Sequence, residues 1–220
     1  MKHTLILANG TPPTKKLLLQ HIQTSDYFVC ADGGANIAAQ FGVRPNFIIG
    51  DLDSIKSNTI KQFKSVPTQL IKDQYSTDLE KALTYVIRQK YTEIVVLGAD
   101  GGRIDHSIGN LSALIKYSRK ANISFVMKNG ILLPVTRERV LDIPIGTIVS
   151  LIPLTLCEGI ITSGLKWNLK NESLCLGKRE STSNLATSSP VKIQIRQGNL
   201  IVFVAKLKSL SRKVKETVRN

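Results

Sequence analysis

The chain has 220 residues, a hydrophobic fraction of 42% and a formal net charge of +14. This length accommodates one large domain or two modest ones, and no apolar run approaches the roughly 18 residues of a membrane span. Three widely spaced cysteines without a Cys-x-x-Cys pair argue against a disulfide framework and against a zinc site. Because the first apolar stretch is also too short for a signal peptide, we expect a cytoplasmic protein.

Through the first half, apolar strand-like runs alternate with helix-compatible stretches. The predicted strands are His3–Ala8, Tyr27–Ala31, Asn46–Ile49, Gln69–Ile71, Glu93–Gly98 and Ile123–Met127. The predicted helices between them are Pro13–Gln23, Gly34–Phe41, Ile55–Phe63, Asp78–Lys90 and Asp105–Lys120. Continuous apolar strands that alternate with helices predict an α/β domain with a parallel sheet covered on both faces.

After Lys128 the pattern changes to short strand-like pieces separated by turn residues. The predicted strands are Ile131–Pro134, Ile148–Pro153, Gly159–Ile161, Ser173–Leu176, Val191–Gln197 and Leu200–Val204. This spacing is typical of an all-β sandwich or barrel. The Ser-, Thr- and Asn-rich segment Arg179–Pro190 is predicted to be a loop. We therefore expect two domains, residues 1–125 and residues 126–220.

The charge is distributed unevenly between the two halves. Lysine and arginine exceed the acidic residues by only 2 through His106, but by 12 from Ser107 onward. A basic half is compatible with a nucleic acid, a membrane surface or an anionic substrate as its partner. The basic residues are densest from Lys206 to Arg219, which we interpret as a solvated terminus.

Aspartates collect where predicted strands end. Eight of the nine aspartates precede His106, and Asp32 and the pair Asp51 and Asp53 directly follow apolar runs. The carboxyl ends of parallel strands face one crevice, so these acids are expected to converge there together with Asp73 and Asp78. Crowded carboxylates need a cation, and Mg²⁺ takes one or two carboxylates together with phosphate oxygens. The sequence therefore predicts a metal–phosphate site.

The familiar phosphate-binding loops are missing from the sequence. There is no Gly-x-x-x-x-Gly-Lys-Ser/Thr element, and no Gly-x-Gly-x-x-Gly follows the first strand. The phosphates are therefore expected to be held by a metal and by side chains, with Arg103 as a candidate bidentate clamp. His106, beside Asp105 at the start of a predicted helix, is compatible with either a structural role or a role in the site.

The single tryptophan, Trp167, lies in the predicted β-rich half. A lone tryptophan is more often a core residue than a binding surface. The preceding Ser163-Gly164 pair suggests an exposed loop, where an indole face stacks well on a flat or cationic ring. The residues alone leave both interpretations open.

At these positions the sequence resembles the thiamin pyrophosphokinase (thiamin diphosphokinase) family. The resemblance covers almost the whole chain, and its motifs occur in the family's order. The motifs are Asp32-Gly33-Gly34-Ala35-Asn36, Gly50-Asp51-Leu52-Asp53-Ser54, Asp73-Gln74-x-x-Thr77-Asp78, Gly102-Arg103-x-Asp105-His106 with Asn110, Ser163-Gly164-Leu165-x-Trp167 and Ser181-Thr182-Ser183-Asn184.

The resemblance implies a fold and an activity. The expected fold is α/β, with a doubly wound, mostly parallel sheet that binds ATP and Mg²⁺, followed by a C-terminal β-sandwich that binds thiamin. The expected reaction transfers pyrophosphate from ATP to the thiamin hydroxyl, giving thiamin diphosphate and AMP. The family also implies a homodimer with its sites at the subunit interface. From the residues themselves, we expect neither a membrane nor a nucleic acid as partner.

The resemblance also assigns roles to individual residues. The metal-binding acids are Asp51, Asp53 and Asp78, and Arg103 joins them as a catalytic residue. The nucleotide side of the site corresponds to Asp32, Asp73, Gln74, Thr77, Asp105, His106 and Asn110. The thiamin contacts correspond to Ser163, Trp167, Ser183 and Asn184, with the tryptophan supplied by the partner subunit.

Two other functions compete with this interpretation. A haloacid-dehalogenase-type phosphatase also uses an Asp-x-Asp element, but here that element follows the third predicted strand and has no matching acidic pair downstream. A nucleic-acid-binding protein would fit the basic second half. The aromatic fraction of only 5% gives no basic–aromatic stacking pattern in its support.

Overall fold

The computed structural model describes residues 2–206. Contacts within the chain divide it into two compact units, the first ending at Thr136 and the second beginning at Arg137. Apart from Lys206, the basic segment predicted to be a solvated terminus lies outside the described residues. Within residues 2–206, none of the helices has the length and apolar character needed to cross a bilayer.

The first unit confirms the predicted alternation of strands and helices. Its strands are β1 (His3–Leu7), β2 (Tyr27–Ala31), β3 (Phe47–Gly50), β4 (Thr68–Leu70), β5 (Glu93–Leu97), β6 (Asn122–Met127) and β7 (Gly130–Val135). Its helices are α1 (Lys15–Gln23), α2 (Gly34–Phe41), α3 (Ser57–Gln62), α4 (Asp78–Arg88) and α5 (Ile104–Tyr117). The strand predicted at Ile131–Pro134 was expected in the second domain, because it follows residue 125. The structure places it in the first unit, as part of β7.

These strands form a mostly parallel sheet in the order β7-β6-β5-β1-β2-β3-β4. All neighbouring pairs from β4 to β6 are parallel, and β7 is antiparallel to β6. The chain moves outward from β1 to β4 on one side and from β5 to β6 on the other. The winding direction therefore switches beside β1, where a parallel sheet opens a crevice at its carboxyl edge.

Apolar side chains from strands and helices pack together beneath this edge. Leu5 and Leu7 of β1 lie in one buried cluster with Leu18 of α1, Phe28 of β2 and Leu97 of β5. Removing such side chains from water stabilises the fold by about 2 kcal/mol each. This packing fixes the ends of β1, β2, β3 and β5, from which the polar loops emerge.

The second unit is built from antiparallel strands. They are β8 (Glu138–Leu141), β9 (Ile148–Pro153), β10 (Cys157–Ser163), β11 (Lys170–Leu174), β12 (Ser181–Leu185), β13 (Val191–Gln194) and β14 (Leu200–Ala205). One sheet has the order β11-β10-β13-β8, and in a second set β9 pairs with both β12 and β14. The structure thus confirms a mixed α/β protein with a separate antiparallel region.

The predicted loop at Arg179–Pro190 is wrong in part, because it contains β12. Asn184 and Leu185 of β12 pair with β9, and the register shifts between Ser181 and Asn184. Ser183, within this irregularity, has a left-handed φ of 57°. The polar composition and the bulge together hide the alternating pattern by which a strand is normally recognised.

Candidate active site

A cavity of about 820 Å³ lies at the carboxyl edge of the first unit's sheet. Its walls come from the segments that follow β1, β2, β3, β4 and β5, and from the start of α5. Nine residues singled out in the sequence line it: Asp32, Asp51, Asp73, Gln74, Thr77, Asp78, Arg103, Asp105 and His106, with Asn110 as a tenth. The predicted convergence of these residues on one crevice is what the structure shows.

Three of the acids form a compact group. Each of Asp32, Asp51 and Asp78 offers a carboxylate oxygen, and these three oxygens lie within 4.8 Å of one another. Asp32 follows β2, Asp51 follows β3, and Asp78 is the first residue of α4. The backbone N–H of Asp51 donates to Oδ1 of Asp78 at 3.2 Å. Parallel pairing of β2 with β3 therefore brings the acids together.

Gly50 makes this close approach possible. A Cβ atom at Gly50 would lie 2.8 Å from the Cβ of Asp32 and 3.1 Å from Oδ1 of Asp78. Any side chain at this position would therefore push the acids apart.

Asp32 is the most deeply buried member of the group, with 2% of its surface exposed. Its Oδ1 has no hydrogen-bond partner among the described residues. Burial raises the pKa of Asp32, and the charges of Asp78 and Asp51 raise it further, against hydrogen bonds from Gly33 and Ser54. A buried carboxylate oxygen without a partner is costly unless it binds a proton or a cation. The all-oxygen donor set therefore suits a hard divalent cation such as Mg²⁺.

Lys81 completes the group and was missed by the sequence analysis. Its Nζ lies 2.9 Å from Oδ1 of Asp78 and 3.9 Å from Oδ2 of Asp51, and its side chain is 3% exposed. Its position three residues after Asp78 on a helix was the available signal, since such residues face each other. Nothing in the sequence shows that this particular lysine is buried.

Asp53 lies apart from the three grouped acids. It is exposed, its Oδ1 accepts a hydrogen bond from the Ser54 hydroxyl at 2.9 Å, and its N–H donates to Asp51 Oδ1 at 3.3 Å. It is not among the described residues that line the cavity at the carboxyl edge of the sheet. Its contacts hold the turn that carries Asp51.

Arg103 and Asp105 form a paired rim at the other side of the cavity. The Arg103 guanidinium donates to both Asp105 oxygens, at 3.1 Å and 2.6 Å. This pairing lowers the pKa of Asp105 to about 2. The neighbouring Asn110 donates its amide to the Ala99 carbonyl at 2.8 Å, so it also supports the loop after β5.

The loop before α4 contributes Asp73, Gln74 and Thr77. Asp73 accepts hydrogen bonds from the Ser76 hydroxyl and from the Tyr75 N–H, which lower its pKa. Gln74 is exposed and donates weakly to the Lys72 carbonyl at 3.5 Å. Thr77 caps α4 in a capping box with Glu80 and so fixes the position of Asp78.

In the second unit, a separate cavity of about 320 Å³ borders Trp167 and Asn184. Asn184 is 3% exposed, and its side chain accepts from the Trp167 N–H at 3.2 Å and donates to the Trp167 carbonyl at 2.7 Å. The indole is 59% exposed, with Lys166 Nζ 4.7 Å from the ring centroid. A buried amide thus holds an exposed aromatic face in place.

Ser163 and Ser183 occupy different positions from Trp167 and Asn184. Ser163 is exposed at the end of β10, and the N–H of Ser183 donates to the Ser150 hydroxyl at 2.9 Å. Neither serine is among the described residues that line the cavity beside Trp167.

An acidic crevice at the switch point of a parallel sheet is typical of α/β enzymes that bind a metal together with a phosphate ligand. Two family models match this chain and assign it more narrowly. "Thiamin pyrophosphokinase, catalytic domain" matches residues 18–127, and "Thiamin pyrophosphokinase, vitamin B1 binding domain" matches residues 135–200. The chain belongs to the thiamin pyrophosphokinase family.

Individual relatives extend over most of the chain. It is 32% identical to thiamine pyrophosphokinase 1 of Oryza sativa subsp. japonica over 197 residues, which are 75% of this chain and 74% of the relative. It is 30% identical to thiamin pyrophosphokinase 1 of Caenorhabditis elegans, over 93% of this chain and 89% of the relative. These matches support the same enzyme class, thiamine diphosphokinase.

Solved structures of lower identity share the fold. The thiamin pyrophosphokinase of Geobacillus thermodenitrificans superposes with a TM-score of 0.82 at 24% identity, over 95% of this chain and all of that one. The yeast thiamin pyrophosphokinase gives a TM-score of 0.80 at 19% identity, over 93% of this chain and 86% of that one.

Proposed function

We propose that this protein transfers pyrophosphate from ATP to the hydroxyl of thiamin, giving thiamin diphosphate and AMP. The observation that carries the proposal is the group of Asp32, Asp51 and Asp78 at the strand ends, within a chain whose two halves both match the family models. The first unit would bind ATP. The second, which we propose to be a β-sandwich, would bind thiamin.

We infer that Mg²⁺ is held by Asp51 and Asp78, with Asp32 as the third acid of the group. The geometry favours Asp32 because its buried oxygen lacks a partner. Asp53, which the family motif favours, stays a predicted ligand. When bound, Mg²⁺ would neutralise charge on the phosphates.

The chain's other residues would bind and orient the phosphates. Arg103 presents an exposed guanidinium, 72% exposed, whose present partner is Asp105. A phosphate would offer the same bidentate geometry, so Arg103 is proposed as the phosphate clamp. Gln74, Thr77, His106 and Asn110 line the same cavity and are proposed as nucleotide contacts.

Proton transfer by Asp73 or Asp105 is disfavoured. The lowered pKa values of Asp73 and Asp105 make both carboxylates poor proton acceptors. Catalysis would therefore depend mainly on positioning the thiamin hydroxyl and on stabilising phosphate charge, as in other phosphoryl transfers.

Trp167 is proposed as the platform for thiamin. Lys166 already places a cation over its ring, so this indole face accommodates a positive charge. Thiamin carries a cationic thiazolium ring that would stack in the same way. Ser163, Ser183 and Asn184 are proposed to contact or support the same ligand.

The assembly and location are also proposals. The family resemblance supports a homodimer with its sites at the subunit interface, and the widely spaced cysteines support a cytoplasmic enzyme. The phosphatase alternative is not favoured, because Asp51 follows β3 and not the first strand. Nucleic-acid binding is not favoured either, because both halves match an enzyme family.

The test is a product assay with ATP, MgCl₂ and thiamin. Asp51→Asn and Asp78→Asn are each expected to reduce AMP formation by at least about 100-fold, since each removes a charge from the phosphate site. The matched control is Asp26→Asn. Asp26 is an exposed acid that accepts a hydrogen bond from the His3 N–H and lies outside the cavity. Near-normal turnover by either site variant would contradict the metal assignment. Release of inorganic phosphate in place of AMP would favour the phosphatase.

A further inference from the structure

Lys81 is the charged member of the buried residues of α4, which are otherwise apolar. Leu79, Ala82 and Leu83 beside it are at most 4% exposed, and Lys81 itself is 5% exposed. A buried ammonium group is costly unless charged or polar groups surround it. An apolar residue would serve packing at this position, so the charge must be explained by its partners.

Those partners are two acids of the proposed metal group. Lys81 Nζ donates to Oδ1 of Asp78 at 2.9 Å, and the Asp51 N–H donates to the same oxygen at 3.2 Å. Both hydrogen bonds fall on Oδ1, which leaves Oδ2 of Asp78 for another cation. Lys81 is also 3.9 Å from Asp51 Oδ2, so one ammonium group bridges both acids.

The charges also match a single divalent ion. By formal charge, three carboxylates and one lysine leave two negative charges in the group. Without Lys81, three carboxylates within 4.8 Å would repel one another, because like charges at this distance interact strongly in a partly buried site.

We propose that Lys81 is a positioning residue that acts as an internal counter-ion. It holds Asp51 and Asp78 in place before the metal binds and limits the charge that the group presents to one divalent cation. The inference rests on the proposed function, since it assumes that these acids hold a metal. Lys81 itself is not proposed to touch the substrates.

Neutralising this lysine should lower the stability of the metal-free protein and raise its affinity for Mg²⁺. Lys81→Gln keeps an N–H donor for Asp78 but removes the charge. Its melting temperature in EDTA is expected to fall, while its dissociation constant for Mg²⁺ falls about tenfold, since a like charge near the ion is gone. Lys81→Arg keeps the charge and is expected to bind Mg²⁺ with nearly the wild-type constant.

The experiment measures thermal unfolding of the whole chain against MgCl₂ concentration, without ATP or thiamin. Ligand binding to the folded state adds stability that grows with the logarithm of ligand concentration over dissociation constant, so a tighter site raises the melting temperature more at the same MgCl₂ concentration. Lys61→Gln is the control, because Lys61 is an exposed lysine of α3 that lies outside the cavity. This control is expected to show the wild-type response to Mg²⁺.

The outcomes separate the inference from the function on which it rests. If wild type shows no shift with MgCl₂, the proposed metal site fails and takes the inference with it. If wild type shifts and Lys81→Gln shifts equally, the role of Lys81 is overturned and the metal site stands.

Failure of Lys81→Gln to fold would also be informative. Folding in MgCl₂ but not in EDTA supports the counter-ion role. If the variant folds in neither, the double variant Lys81→Gln with Asp78→Asn removes one charge of each sign. Recovery of its folding supports the proposal, and failure of the double variant as well would show that Lys81 serves packing only.

Discussion

Asp32 places a carboxylate at a buried position, where a charged group lowers the stability of the fold. Its φ of 42° lies in the left-handed region, and its carboxylate is buried with Oδ1 unpaired among the described residues. Aspartate and asparagine tolerate this backbone better than most residues, so the conformation alone does not select the acid. A buried, unpaired carboxylate in this conformation lowers the stability of the fold. Such costs are typical of functional sites, where binding or catalysis requires the residue.

Asp32→Asn is therefore expected to stabilise the metal-free protein at pH 7 by about 1 kcal/mol, because it removes a buried charge without backbone strain. In wild type the folded-state pKa of Asp32 is raised above the unfolded value of about 3.9. Its contribution to stability is therefore present at low pH and is lost as the pH rises through the folded pKa. The advantage of the variant should vanish near pH 4.

Thermal unfolding in EDTA between pH 4 and pH 8 measures this difference. A gain of about 1 kcal/mol corresponds to a rise of roughly 2–4 °C in melting temperature for a chain of this size. A variant that is less stable than wild type at pH 7 would contradict the description of Asp32. The same variant should also lose its response to MgCl₂.

At the scale of the element, the start of α4 joins a structural motif to the site. The Thr77 side chain accepts from the Glu80 N–H at 3.3 Å, and Glu80 accepts from the Thr77 N–H at 3.1 Å. Asp78 is the next residue, so the cap determines where its carboxylate lies. Lys116 holds Glu80 in turn at 2.7 Å.

Thr77→Ala is expected to destabilise the protein by about 1 kcal/mol, because it leaves the Glu80 N–H without its cap. Thr77→Ser keeps the oxygen and should lie within a few tenths of a kcal/mol of wild type. Urea unfolding of the two variants measures the difference. Equal stabilities for the alanine and serine variants would show that the cap does not hold α4.

Elements differed in how well the sequence predicted them, for physical reasons. The strand Tyr27–Ala31 and the helix Gly34–Phe41 were predicted at their observed bounds because apolar spacing marks each clearly. The strand β12 escaped because polar residues and a bulge interrupt its alternation. The group of Asp32, Asp51 and Asp78 required strand register, which depends on tertiary packing that spacing along one chain does not specify.

At the scale of the whole molecule, the two units carry different chemistry. The first holds the acids and Arg103, and the second holds Trp167 with its buried support, Asn184. The acid-poor second half would therefore contribute the face for a cationic ring, while the first would bind the phosphates. In a homodimer with sites at the subunit interface, the acids of one subunit would share a site with the partner's Trp167, and this can be tested.

Mixing two inactive variants, Asp51→Asn and Trp167→Ala, should restore activity if each site draws on both subunits. Random exchange of subunits makes half of the dimers mixed, and one of their two sites is intact, so about a quarter of wild-type activity is expected. Co-expression followed by the AMP assay measures it. Mixed dimers that stay inactive would show that the acids and Trp167 of one subunit serve the same site.

The single tryptophan also makes the protein its own optical reporter. Trp167 is the only indole in the chain, it is largely exposed, and it lies under the Lys166 ammonium group. Every change in indole emission therefore originates beside one cavity of the second unit. Occupancy of that cavity can be followed by fluorescence while ATP and Mg²⁺, whose proposed ligands all lie in the first unit, are varied independently.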